Sequence, residues 1–299
     1  MSSTNPLFSI EPLAPAQYSP TAEGGEDAVR KLTTQLIEDA FDIIASTDSW
    51  SKGKVFNAKH APADGGPVHT RSKKSGMSGR PGKCSWHMRE SIHPVAGTDI
   101  TFDDFRNGLL LNHNTNEMDY IPALIDTKTI ENIKDGTTSV ILNSYQLPMV
   151  TANRDFLELM ITVDLPPHAA PFSPAHRAVI AESQQQQPLE LNTSLPTSAS
   201  EAGGLRSFLV IQVPVNHPEA AEQKGYVRGA YASVEAVYEA SGSTGSETHW
   251  KMATQSDARG SIPLFLSESS LPGQIVQDVP EFVHWARSHK SQDSEVQQA

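Results

Sequence analysis

Four polar side chains alternate along the run Trp86-His-Met-Arg-Glu-Ser-Ile-His93: His87, Arg89, Ser91 and His93 share one side, and Trp86, Met88 and Ile92 share the other. Period two forces that separation in a strand. If the polar row faces the interior, Arg89 offers forked donors to an acidic or carbonyl group, and His93 offers a hydrogen-bond partner or a proton shuttle. If it faces outward, the row is merely solvated, and antiparallel sheets with one wet side keep their polar residues there. The same period puts Cys84 and His87 on opposite faces, so they form no nucleophile–base pair.

Other constellations are weaker. In Asn153-Arg154-Asp155-Phe156, adjacent opposite charges at the start of a strand suit pairing between strands better than catalysis. His113 and Glu117, four apart near a helix end and close to Asp119, could in principle touch a metal. One histidine with carboxylates falls short of a convincing transition-metal set, and a local hydrogen bond explains it equally well, so no metal is expected. Tyr226, Arg228, Ala230, Ala232, Val234, Ala236 and Tyr238 share one face of a long strand. Their small members either line a roomy trough with a polar end or pack on a helix. There is no phosphate-binding glycine loop, hydrolase elbow or dinucleotide fingerprint, Gly242-Ser-Thr-Gly245 reads as a turn, and no cofactor is expected.

These residues need a sheet and helices to position them. The chain has 299 residues, 37% of them hydrophobic, enough for one large core once flexible segments are set aside. Its 35 acidic and 23 basic residues leave a net charge of -12, which argues against binding phosphate backbones, so no nucleic-acid partner is expected. Cys84 is the single cysteine, which excludes an internal disulfide and a thiolate zinc cluster. No apolar run reaches the ~18 residues of a membrane span, no signal core opens the chain, Ser2 stands where myristoylation needs glycine, and no prenylation motif ends it. A cytoplasmic address is the expectation.

Residues 1–22, rich in Pro, Ser and Ala without periodicity, read as a disordered arm, and 291–299 as a disordered tail, flanking one domain over 23–290. From Glu26 to Ser46 an apolar stripe (Val29, Leu32, Leu36, Ile37, Ala40, Phe41, Ile44) marks a helix with Glu26 and Asp27 in its first turn. Trp50–Asn57 and Lys83–His93 are candidate strands joined by a basic connector carrying Arg71, Lys73, Lys74, Arg80 and Lys83. Thr101 caps a second helix expected to end near Asn114. Lys128–Ile133 and Thr137–Leu147 around Asp135-Gly136 form the strongest hairpin signal. Asp155–Leu165 alternates Leu157, Leu159, Ile161 and Val163 against Glu158, Thr162 and Asp164, predicting one buried and one wet face. Leu205–Val215 and Tyr226–Tyr238 are further strands with no helical period between them, so the sheet is antiparallel. The Pro/Ser/Gln-rich stretch of about 166–204 reads as a disordered excursion. In the last segment, Trp250, Met252 and Thr254 share a strand face, Asp257-Ala-Arg-Gly260 breaks it, and Ser261 is the expected N-cap of a helix whose Ile275, Val279, Phe282, Val283 and Ala286 should be buried; Pro272 and Pro280 would segment it.

Five blocks occur together in order: Trp86–His93, Phe105–Tyr120 (FRNGLLLNHNTNEMDY), Asn153–Phe156, Gly225-Tyr-Val-Arg-Gly-Ala-Tyr231 and Trp250–Trp285. In these the chain resembles the START-like superfamily, and more closely its fungal DUF3074 branch, over about residues 26 to 288. The resemblance implies an α+β helix-grip (START/Bet v 1-like) fold, a curved antiparallel sheet wrapped on a long C-terminal helix with an apolar ligand between them. Members of the wider superfamily carry sterols, phospholipids or other hydrophobic molecules, and some relatives act as polyketide cyclases. The candidate ligand-facing residues are Trp86, Arg89, His93, Tyr145, Arg228, Tyr231, Trp250 and Phe265. The expected role is shielding a lipid or lipophilic metabolite. The alternative is a cyclase or isomerase for a polyketide- or terpenoid-like substrate, in which Arg89, His93 and Tyr231 polarise a carbonyl or move a proton. Transient membrane contact through the basic connector is a further expectation. Whether chemistry occurs, and the oligomeric state, stay open at this level.

Overall fold

Helix α2 (Gly25–Ser46) forms where the stripe predicts it, and Leu36, Ile37, Ala40, Phe41 and Ile44 are buried. In the computed structural model, which describes residues 7–57, 59, 65–74, 84–134, 136–147, 152–186, 189 and 200–296, α2 follows the single turn α1 (Pro15–Tyr18). Then come β1 (Ser51–Phe56), β2 (Val68–Lys73), β3 (Trp86–Pro94), the turn α3 (Val95–Thr98), α4 (Phe102–Phe105) running into a π-helical turn at Arg106–Leu110, and α5 (His113–Tyr120). The chain continues through β4 (Leu124–Lys134), β5 (Thr138–Tyr145), β6 (Asn153–His168), α6 (Pro174–Gln186), β7 (Leu205–Pro214), β8 (Tyr226–Arg228), β9 (Ala230–Gly242) and β10 (Gly245–Asp257). It ends in α7 (Leu264–Ile275) and α8 (Asp278–Val296).

The strands form one curved ten-stranded sheet in the order β1-β2-β3-β10-β9-β7-β6-β5-β4, all antiparallel, with β8 added parallel to β6. Its inner face holds α8: Ile141, Met160, Phe208, Val210, Val237 and Trp250 pack with Phe105, Val279, Phe282 and Val283. The outer face holds α2, α6 and the N-terminal segment, against Met88, Val140, Leu157, Leu159, Ile161, Leu209, Ile211 and Val234. In the middle of the sheet β6 is covered on both sides and has no wet face, which corrects its reading: Glu158 is only 3% exposed, and Thr162 and Asp164 are buried too. Asp164 receives Arg106 at 3.0 Å in compensation, as a buried charge requires a partner.

The arm expected to be disordered is packed from residue 7 onward. The Leu13 amide donates to the Pro214 carbonyl at 2.8 Å, the Tyr18 hydroxyl donates to the Asn216 carbonyl at 2.6 Å, and Phe8, Ile10 and Leu13 are buried. It lacks period because it meets the sheet through an isolated parallel bridge, Leu13 beside Val215, rather than as a regular strand. In the Pro/Ser/Gln-rich stretch, α6 buries His176 and Ile180 beside α2, and Arg177 meets Asp42 at 2.8 Å. Residues 187–188 and 190–199 of that insert, with 1–6 and 297–299, lie outside the described residues. The helix α8 runs on to Val296, past the boundary expected at 290.

Three smaller corrections concern boundaries. Inside the basic connector β2 pairs with β1 and β3, so Arg71 and Lys73 belong to the sheet; Arg80 and Lys83 lie outside the described residues. Thr101 caps α4 with Asp104 in a reciprocal pair, but the helical segment breaks at Leu111-Asn112 and resumes to Tyr120. The C-terminal helix starts after Pro263, not Ser261. It is split at Val276-Gln277, and Pro280 sits in the first turn of α8, where its missing N–H costs no helical bond. Gly108 lets α8 close on the π-helical turn, since a Cβ there would stand 2.5 Å from the Phe282 ring and 2.6 Å from that of Trp285.

Candidate functional site

Strand β3 turns its polar row inward. Trp86 and Met88 are needed on the outer side, where Trp86 packs near Trp50 and Phe8 at 6.2 and 6.4 Å, so period two carries His87, Arg89, Ser91 and His93 to the side of α7 and α8. The solvated alternative for this row therefore fails, and so does the placement of Trp86 against a ligand. Arg89 is 1% exposed and stacks on the indole of Trp250, 3.8 Å from the ring centroid. Its Nη2 lies 3.4 Å from Asp278 Oδ2 and 3.5 Å from Glu235 Oε2, while Nε and Nη1 make no hydrogen bond. Trp250 Nε1 donates to the same Glu235 oxygen at 2.7 Å.

Around this centre the inner face is unusually polar for a core. His113 at the start of α5 places Nδ1 2.6 Å from the Leu109 carbonyl and Nε2 3.4 Å from Glu117 Oε1. Burial alone would lower the His113 pKa, but the negative charge of Glu117 beside it, then that of Glu235, outweigh it and lift the group to about 9. Burial, reinforced by the Glu117 charge, raises Glu158 to about 8. Asp278 is raised to about 7, again by burial first, with Arg89 pulling the other way. Tyr145, Phe156 and Tyr231 form a half-buried aromatic row on the same face, with ring centroids 5.6 and 6.2 Å apart in sequence, and Tyr231 meets Met252, Leu271 and Ile275.

The three residues proposed for proton transfer are not brought together. His93 lies opposite Thr248 and Tyr231 opposite Ser256 on the same strand, a separation of roughly 26 Å at about 3.3 Å per residue. His93 is fully buried, with Nε2 2.8 Å from Ser91 Oγ and its ring 4.9 Å from that of Phe105. Burial first and the Arg89 charge second push it down to about 3, so it is neutral at ordinary pH and no shuttle. Arg228 makes a two-pronged pair with Asp155 at 2.9 and 3.0 Å. Arg154 spends its donors on the carbonyls of Ala152, Ala258 and Arg259. Arg228, a candidate ligand-facing residue, is thus taken up in an ion pair between strands, and Arg154 ties the start of β6 to the 258–259 turn instead of pairing with Asp155. Phe265 is 67% exposed, because α7 turns Leu271 and Ile275 inward instead. The Ala/Val row of β9 faces outward: Val234 and Ala236 pack under α2, and Ala230 packs with Ile10 and Cys84. It is packing, not a trough. Burial pushes the Cys84 thiol up to about 12.

Glu235, Glu158 and Asp278 were missed as site residues. Glu235 and Tyr231 share parity on β9, so once one neighbour's orientation is known an acidic residue in the apolar run Val234–Tyr238 stands out. Asp278 carries no comparable signal, since its position depends on how α8 docks. A groove of about 460 Å³ lies elsewhere, on the outer face between α2, α6 and the β4–β5 turn, lined by residues including Ile37, Ile133, Ile161 and Val163. It lacks the converging buried charges, so the inner face is the stronger candidate.

His93 makes the pH response testable. The unfolded chain takes up its proton near 6.5 and the folded one only near 3, so its contribution to stability is present above about 6.5 and lost as pH falls toward 3. Equilibrium unfolding of His93→Gln between pH 4 and 6 is expected to show an acid limb shallower by about 1.4 kcal/mol per pH unit, the slope of one proton. An unchanged slope would contradict the burial argument.

An antiparallel sheet gripping a segmented C-terminal helix, with polar groups held between them, defines the START/Bet v 1-like helix-grip class. The chain belongs to the family described as protein of unknown function (DUF3074), whose profile matches residues 86–286. An uncharacterized Schizosaccharomyces pombe protein is 21% identical over 282 residues, covering 93% of this chain and 95% of its own. Among solved structures, human StAR-related lipid transfer protein 5 matches with a TM-score of 0.59 at 13% identity, covering 88% of this chain and 99% of that one. Human STARD10 matches at 0.52 and 14% identity, covering 85% and 81%. At such identities the likeness is one of fold. No helix of the described residues is long and apolar enough to cross a membrane.

Proposed function

We propose that this protein encloses a hydrophobic small molecule, a lipid or lipophilic metabolite, between the inner face of the sheet and α7–α8, and shields it from water for transfer through the cytoplasm. One observation carries the reading. The Asp278 side chain is 27% accessible, yet it sits so deep that burial holds its carboxyl near 7. Both are true of a group facing an enclosed space. Half-buried Tyr145 and Tyr231 behave alike, their phenols driven well above the usual range by burial. In this reading Tyr145, Phe156, Tyr231, Met252 and Ile275 form an apolar and aromatic wall, and the unpaired Nε and Nη1 of Arg89 await an acceptor on the ligand's polar end. The name of human StAR-related lipid transfer protein 5, a relative in fold, agrees with it. Phe265 and Leu266, 67% and 49% exposed at the start of α7, offer an apolar edge for transient membrane contact beside the opening.

Native mass spectrometry of the purified protein, followed by organic extraction, is expected to find one apolar molecule per chain. A photoactivatable fatty-acyl probe should label peptides of β9, β10 and α7. A persistently empty, water-filled interior, or labelling confined to α2 and β4, would overturn the proposal.

A further inference from the structure

The helix side of the same interior holds donors of a different kind. His113 and Glu117 stand one turn apart on α5, and Glu235 approaches from β9; one ligand atom from each lies within 4.8 Å of the other two. The imidazole is set up for ligation. Nδ1 is 2.6 Å from the Leu109 carbonyl, which can only accept, so Nδ1 carries a hydrogen, and once the proton shared toward Glu117 is displaced Nε2 is the nitrogen that presents a lone pair. Nε2 makes no hydrogen bond although His113 is 2% exposed; Glu117 Oε1 is 3.4 Å away. Glu117 Oε2 is likewise enclosed without a hydrogen bond. Glu235 is held from behind by Trp250 Nε1 and approached by Arg89, as outer-shell donors hold ligating carboxylates.

We infer that His113, Glu117 and Glu235 form a site for one divalent transition-metal ion. One nitrogen and two oxygen donors suit Zn²⁺, the two carboxylates balance its charge, and a fourth position is left for water or the polar end of an enclosed molecule. The competing arrangement, an imidazolium paired with Glu117, needs no metal. The metal site is independent of the lipid reading, since its assay requires no lipid.

Protein stripped with EDTA would be titrated with Zn²⁺ alone by calorimetry, and Co²⁺ would be added to a second sample for visible absorption. The expected result is about one equivalent of Zn²⁺ per chain, weakened at least tenfold in Glu117→Gln and in Glu235→Gln, with the Co²⁺ bands lost in both. His168→Gln, at the stacked pair His168–His176 on the outer side (centroids 5.2 Å apart), should leave the binding intact. Glu117→Gln keeps the side-chain volume, so circular dichroism should show a native fold and its result stands even if Glu235→Gln misfolds. Absence of Zn²⁺ binding in the parent protein, or binding that survives Glu117→Gln, would overturn the site.

Discussion

Replacing Arg89 with alanine is expected to cost about 3–5 kcal/mol of stability, because it leaves buried carboxylates without their counter-charge. The guanidinium lies between Glu235 and Asp278 and covers the face of Trp250. Its removal therefore strips one charge partner from two acids and opens a void against an indole. The loss should grow with pH. Asp278 already has a folded pKa raised to about 7 from 3.8, with Arg89 holding it down. A raised carboxyl contributes stability while protonated in the fold and loses it as pH rises through the folded value, and without Arg89 that value climbs further. Denaturant unfolding of Arg89→Ala at pH 5.5 and pH 8 should give the larger deficit at pH 8. Adding Glu235→Gln and Asp278→Asn should recover much of it, and their failure to do so would mean that packing on Trp250, not charge, sets the cost.

Phe282→Ala is expected to cost a similar 3–5 kcal/mol by cavity formation. Phe282 is fully buried on α8 and meets Phe105, Trp250, Tyr120 and Trp285 with ring centroids between 4.8 and 5.8 Å away. One ring thus joins the terminal helix, the sheet and both intervening helical segments. Its neighbours are rings anchored on separate elements, so they collapse poorly into the space. Hydrogen exchange should accelerate in α8 and α5 before β7 is affected. The exposed Phe265, changed to alanine, should move stability by no more than about 0.5 kcal/mol. Comparable losses at the two positions would show that α8 does not hold the fold together.

Much of the architecture was legible because local signals agreed with the final packing. The α2 stripe, the Thr101 cap, the hairpin around Gly136 and the buried positions of α8 each follow from spacing and turn chemistry alone. What escaped was structure with no period of its own. The N-terminal segment is tied by Leu13 and Tyr18 at irregular intervals, and β2 lies in a stretch whose composition reads as loop. On β6 both faces are buried, so its alternation of Leu with Glu, Thr and Asp predicted a wet side that the fold does not possess.

By itself the sequence determined which side chains travel together: Arg89 with His93, Tyr231 with Glu235, Phe282 with Ala286. Only the tertiary structure decided which of those sets faces inward, and which distant partners meet there. Strand alternation is symmetric, so either face can be the inner one until something packs on it. Trp86 and Met88 were claimed by the α2 side, which turned Arg89 toward Asp278 and Glu235. Those contacts span long stretches of chain, and no local period encodes such a distance.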